Sequence, residues 1–254
     1  MPEVYGMIVL YALASVIAVS LLSLLGAALI SIQRKTLEKI ITYSLALSSG
    51  VLLGSTFFEL LPEGVALLPD GVFTWTLIGF ISFFCLEKLI QWHHHVEGRH
   101  VHKDKPLAYL TLLGDGIHNF TDGAVIAASY LVSIPLGITT TLAIIAHEVP
   151  HELSDFLILI HGGFSNKRAL FFNFLSATTA ILGTVLVLAV SSQFADLDRY
   201  LVPFAAGNFL YIAASDLIPE LLTKRHGTIS VLQVIMMIVG IGIVPLVSHL
   251  FGSA

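Results

Sequence analysis

The stretch LGITTTLAIIAHEVPHELSDFLILI, residues 136–160, decides how this chain folds. It is long and apolar enough to cross a hydrocarbon core as a helix, which takes roughly 20 residues. Yet it carries His147, Glu148, His151, Glu152 and Asp155. At helical spacing, His147, His151 and Asp155 form an i, i+4, i+8 row, with Glu148 and Glu152 beside it. A second apolar stretch, 107–132, holds Asp115, His118, Asn119 and Asp122 at i, i+3, i+4 and i+7, all on one helix face. A carboxylate at the centre of a membrane helix costs roughly 2.5–3.5 kcal/mol, so five in two spans would cost on the order of 12–18 kcal/mol. A bound divalent cation offsets such buried charge most directly.

The rest of the chain reads the same way. Of its 254 residues, 56% are hydrophobic and only 11% charged, well under the charged share of a soluble domain. The expected fold is all-α: a polytopic membrane protein with eight transmembrane helices near 5–30, 41–61, 72–92, 107–132, 136–160, 169–192, 200–222 and 229–251. Nothing alternates at the period of a membrane β-barrel. Residues 1–254 are read as one transmembrane domain, and Met1 to Leu29 as its first retained span rather than a leader. Cys85 is the single cysteine, which excludes an intramolecular disulfide and a thiolate metal cluster; it is read as a buried small residue. No basic, aromatic-interleaved surface points to nucleic acid.

Eleven of the twelve Lys and Arg fall on alternate connections, Arg199 being the exception. Those connections are therefore expected in the cytoplasm and both termini outside, as in a multi-pass protein of the plasma (inner) membrane. Span 2 contains Gly50, Glu59, Pro62 and Glu63, and span 7 contains Gly207, Asp216, Pro219 and Glu220, at the same offsets from the glycine. Because the two spans run in opposite directions, this predicts an inverted repeat, spans 1–3 against spans 6–8 around spans 4 and 5. Glu59 and Asp216 are read as accessory ligands or gates facing the central pair.

Imidazole nitrogen combined with carboxylate oxygen suits zinc, Fe(II), Mn, Co or Cd, and disfavours Mg, Ca and Cu(I). The donors exceed what one tetrahedral site requires. Two neighbouring sites are expected, with His118, Asp122, His147 and His151 in one, Asn119 and Glu148 serving the other, and Asp122 able to bridge. Asp115, Glu152 and Asp155 are further candidates. Pro150 removes an N–H within span 5 and leaves the carbonyl of Ala146 without its usual partner, predicting a kink beside a polar pathway. In the loop after span 3, residues 93–105, His93, His94, His95, His100 and His102 suggest a weak cytoplasmic metal-binding segment.

HNFTDG at 118–123 together with HEVPHE at 147–152 resembles the ZIP (Zrt/Irt-like) family of divalent metal transporters, and most of all the subfamily with a His-Glu-x-Pro-His-Glu motif on the fifth span. The resemblance covers essentially the whole chain. It implies import of zinc, or of Fe2+, Mn2+ or Cd2+, as a transported substrate rather than a cofactor. By motif position it implies His118, Asn119, Asp122, His147, Glu148 and His151 as ligands, and it also implies the inverted repeat. The chain departs from relatives in carrying Asn173 and Ser176 on span 6 where some place a carboxylate, and Glu59 where a histidine is usual. The expected partners are a divalent metal ion and the lipid bilayer, with a homodimer compatible. The rival reading is an intramembrane zinc metalloprotease using His147-Glu148-Val149-Pro150-His151. Pro150 and the second ligand face on span 4 argue against it, so no enzymatic activity is expected.

Overall fold

A computed structural model describes residues 2–26, 34–96, 105–191, 193–194, 196–223 and 228–252. Among them the chain is all-helical, with no strand. Helix α1 (Pro2–Leu21) runs into a 3-10 turn (Leu22–Leu25). Helix α2 begins at Arg34–Ser55, widens to a π-helical turn at Thr56–Leu60 and finishes as Leu61–Leu67. Helix α3 is Val72–Val96, α4 is Lys105–Val132 and α5 is Ile134–His161. Helix α6 comes in two pieces, Asn166–Ala177 and Thr179–Ser191. Helix α7 is Leu197–Tyr211, a π-helical turn at Ile212–Leu217, then Ile218–Thr223; α8 is Thr228–Gly252.

Among the described residues, six segments are long and apolar enough to cross a membrane: Val4–Leu25, Lys39–Leu67, Val72–Leu89, Asn166–Ser191, Leu197–Thr223 and Val231–Leu250. Helices α4 and α5 are 28 residues each but interrupt their apolar surface with the acids and histidines. Burial sorts the crossing segments. In α2 and α7, 61% of the apolar stretch is inside the protein, against 17% in α3 and α8. Helices α2 and α7 pack towards the α4–α5 centre, while α3 backs α7 and α8 backs α2. Cys85 lies on outlying α3 and is exposed, which corrects the expectation that it is buried.

Helices α2 and α7 share a feature around their prolines. Pro62 and Pro219 do not end α2 and α7; each follows a π-helical turn, and the helix continues past it. Proline has no N–H to give and its ring crowds the carbonyl four residues back, so a turn widened by one residue before it relieves the conflict. Gly50 and Gly207 also occupy matching environments. A Cβ on Gly50 would stand 2.0 Å from the Met237 carbonyl oxygen of α8, and one on Gly207 would stand 2.0 Å from the Thr76 carbonyl oxygen of α3. Only glycine permits helix backbones that close.

Ser133 alone joins α4 to α5, and its hydroxyl oxygen caps α5 by accepting from the Leu136 N–H. The two helices that carry the polar faces are thus an antiparallel hairpin. Their inner surfaces share a core with α1, α2 and α7 that includes Leu52, Leu60, Ile126, Tyr130, Ile144 and Phe209.

Candidate metal centre

The hairpin brings four donors together. One ligand atom each from His118, Asp122, His147 and Glu148 lies within 4.8 Å of every other. His118 Nε2 is 3.2 Å from Glu148 Oε1 and 3.3 Å from His147 Nε2. Asp122 Oδ2 is 3.1 Å from His147 Nε2 and 3.8 Å from His118 Nε2. His147 Nδ1 stands 3.1 Å from the Ala143 carbonyl. Donating its proton there leaves the Nε2 lone pair facing the carboxylates, the tautomer a metal ligand requires. Three of the four are fully or almost fully buried, and buried Asp122 Oδ2 and Glu148 Oε2 have no hydrogen-bond partner among the described residues. Acceptors crowded without donors hold a divalent cation well and hold little else.

The other sequence candidates sort around this cluster. The His151 ring stacks on the His118 ring, with centroids 5.1 Å apart and planes 16° apart, so it stands beside the four donors. Glu148 stands in the four-donor cluster where the sequence reading places His151. Asn119 is fully buried and gives its amide hydrogens to Asp115, at 2.8 Å to Oδ1, while its own Oδ1 has no partner. Glu152 turns to α6, where Asn173 Nδ2 donates to its Oε2 at 2.5 Å. Asn173 was noted on the sequence only as a departure; its pairing with Glu152 was not anticipated.

Two cavities lead away from the cluster. A small one of about 170 Å³ has Asp115, His118, His151, Asp155 and Asp216 in its lining, together with Glu87. A larger one of about 490 Å³ shares His151, Asp155 and Asp216 and runs on to exposed Glu220 and Thr223. Asp216 therefore lines both cavities from the π-helical turn of α7. Glu59, in the matching turn of α2, is half-buried and stands apart from both cavities. His93, His94 and His95 fall at the end of α3 with side chains outside the described residues, and His100 and His102 lie outside them altogether.

The carbonyl that Pro150 strips of its helical partner is met from another helix. The hydroxyl of Ser48 on α2 reaches the Ala146 carbonyl, and also lies 2.6 Å from the Ser44 carbonyl within its own helix. Ala146 immediately precedes His147, so this contact steadies the backbone beside a candidate ligand. Ser48→Ala should leave the carbonyl unsatisfied and cost about 1–3 kcal/mol. Thermal unfolding of the purified protein should read this as a lowered Tm, with zinc affinity reduced alongside.

The chain is similar in sequence to known proteins. The chain matches the ZIP zinc transporter family over residues 7–107 and 92–248. It is 31% identical over 292 residues to the metal cation symporter ZIP14 of Xenopus tropicalis, covering 86% of this chain and 62% of that protein. It is 33% identical over 220 residues to the zinc transporter ZIP13 of Pongo abelii, covering 80% of this chain and 66% of the relative. The zinc transporter ZIP13 of Danio rerio is 40% identical over 148 residues, 58% of this chain and 42% of that one. The chain thus spans under two thirds of the length of these curated relatives.

Proposed function

This chain belongs to the ZIP zinc transporter family, and we propose that it carries zinc, or a similar divalent ion such as Fe2+, Mn2+ or Cd2+, across the membrane into the cytoplasm. It is a multi-pass integral membrane protein. The observation that carries the reading is the convergence of His118, Asp122, His147 and Glu148 between α4 and α5. His151 and Asn119 complete the ligand set as a neighbouring second position, with Asp122 shared, so the centre is binuclear. Asp115, Asp155 and Asp216 line the way out, Glu59 collects ions at the opposite end, and Glu152 is held in reserve by Asn173.

Several features support an inverted repeat of α1–α3 and α6–α8 around the α4–α5 hairpin, with α4 and α5 completing eight crossings. Both π-helical turns precede a proline at the same distance from Gly50 or Gly207. The paired helices α2 and α7, and likewise α3 and α8, are buried to equal degrees. Such repeats permit alternating access to a central site. The cavities leave by the ends of α5 and α7, which the Lys and Arg bias assigns to the cytoplasm. This conformation is then the one that releases ions inward, with both termini outside and the plasma membrane as the location. The histidine segment 93–105 receives ions on the cytoplasmic side, and a homodimer is compatible with the outlying apolar helices.

The protease reading is not favoured: the relatives are named as transporters, and His118 and Asp122 supply donors that a His-Glu-x-x-His site does not need. The test is uptake of radiolabelled zinc, iron, manganese and cadmium by reconstituted vesicles under competition. Zinc should be taken up and the others should compete. A proton on imidazole or carboxylate excludes the metal, so lowering the external pH from about 7.5 to 5 should slow uptake progressively. A rate flat across that range would count against the His/carboxylate route.

A further inference from the structure

Beyond the cluster, towards the Ser133 turn, the hairpin is buried but not wholly apolar. Asp122 on α4 lies opposite His147 on α5. Moving seven residues on towards the Ser133 turn, two helical turns or roughly 10 Å on each helix, brings Ser129 opposite Thr140. Both are fully buried, and neither hydroxyl has a hydrogen-bond partner among the described residues. On either side of Thr140, Thr139 and Thr141 bond back to their own helix, at 3.0 Å to the Leu136 carbonyl and 2.7 Å to the Gly137 carbonyl.

Helix α2 supplies the third member. Leu45 shares the larger cavity with Pro150 and His151, and Ser48 meets Ala146, so numbers rise along α2 as they fall along α5. The same two turns from Ser48 reach Ser55, level with Thr139 and Thr140. Ser55 is also fully buried with its hydroxyl unpartnered, whereas adjacent Thr56 bonds to the Leu52 carbonyl at 2.8 Å. One helical turn before this tier, on the way from the cluster, stand Leu52, Ile126 and Ile144, all fully buried in the same hydrophobic core.

A buried hydroxyl without a partner destabilises the fold that holds it. Three at one level, on three helices, above an apolar seal, are better suited to a conformation in which they have a ligand. We infer that Ser55, Ser129 and Thr140 form an oxygen-lined station where the incoming divalent cation, still partly hydrated, waits before the Leu52–Ile126–Ile144 layer parts and admits it to the four-donor centre. Neutral hydroxyls suit such a station: they replace some water ligands of the ion without holding it as carboxylates and imidazoles do. The inference rests on the transport reading above.

The test is the full chain carrying Ser55→Ala, Ser129→Ala and Thr140→Val, reconstituted in vesicles with Zn2+ and Cd2+ as probes. Uptake kcat/KM should fall roughly fivefold or more, because the tier acts before the centre. Zinc binding to the purified protein should stay unchanged and Tm should hold or rise, with Thr140→Ser keeping the wild-type rate. In a Cys85→Ala background, Thr140→Cys should react with an impermeant thiol reagent from the side opposite the cavities during uptake, and be protected by saturating zinc. Unchanged kcat/KM in the triple variant, or a fall matched by lost zinc binding and lost Tm, overturns the station while leaving the transport reading intact. A wild-type protein that moves neither ion overturns both.

Discussion

Replacing His118 by alanine should abolish zinc uptake while leaving a folded, monodisperse protein. His118 is where the donor set is densest. Its Nε2 stands within 3.8 Å of Asp122, His147 and Glu148, and its ring is the surface on which His151 stacks. Alanine removes a donor from the cluster and the support from a neighbouring imidazole at once. Even losing a partner that merely orients a ligand costs about 10–100-fold in metal affinity, so losing the ligand itself should cost at least that. The fold should tolerate the change because the His118 side chain lines a cavity and is 12% exposed, so its loss enlarges an existing space. Three measurements on one preparation check it: vesicle uptake, zinc binding by calorimetry, and Tm. Uptake at the wild-type rate would remove the cluster from the pathway. Glu152→Gln is the informative contrast, since its carboxylate is directed to Asn173 and should change uptake far less.

That contrast marks how far the residues could be read without coordinates. The i, i+3, i+4, i+7 face of α4 and the doubled row on α5 are legible because helical periodicity alone puts them there. Hairpin adjacency follows from the short gap, residues 133–135, left between the two apolar stretches. Spacing does not determine how each helix is rotated about its axis, and Pro150 lies between the two histidines of α5. For that reason Glu148 rather than His151 closes the four-donor cluster, and His151 stacks beside it. The pairing of Asn119 with Asp115, and of Asn173 with Glu152, depends on rotamers and on how α6 docks, neither of which leaves a periodic trace. The π-helical turns were hidden for a different reason. Proline breaks a helix's hydrogen-bond ladder, and nothing in Leu-Leu-Pro or Leu-Ile-Pro foretells the widened turn that precedes each and lets the helix continue. The Ser48 contact was half-visible: the orphaned Ala146 carbonyl could be named from Pro150, but not the helix that would answer it.

The largest structural effect is expected at Gly123, which directly follows the candidate ligand Asp122 on α4. A Cβ there would lie 1.8 Å from the Ala180 carbonyl oxygen and 2.5 Å from its carbon, and a Cβ on Gly183 of α6 would lie 1.9 Å from the Phe120 carbonyl oxygen. The two glycines interlock, and the obstructing atoms are backbone, so no rotamer change can make room. Hydroxyls draw the same seam tight: Thr184 donates to the Gly123 carbonyl at 2.8 Å and Thr179 to the Gly116 carbonyl at 2.5 Å. Gly123→Ala must force α4 from α6, break these bonds and carry Asp122 away from His147. Overpacking a core ordinarily costs about 1–3 kcal/mol, and a clash of backbone on both sides of a sealed helix pair should reach or exceed the upper end. The expected result is loss of monodisperse protein on size exclusion, or a Tm lowered by many degrees with uptake lost. Gly242→Ala is the control, because a Cβ there meets nothing within 4 Å. If Gly123→Ala unfolds no earlier than Gly242→Ala, α4 and α6 do not meet at these glycines, and the positioning of Asp122 needs another cause.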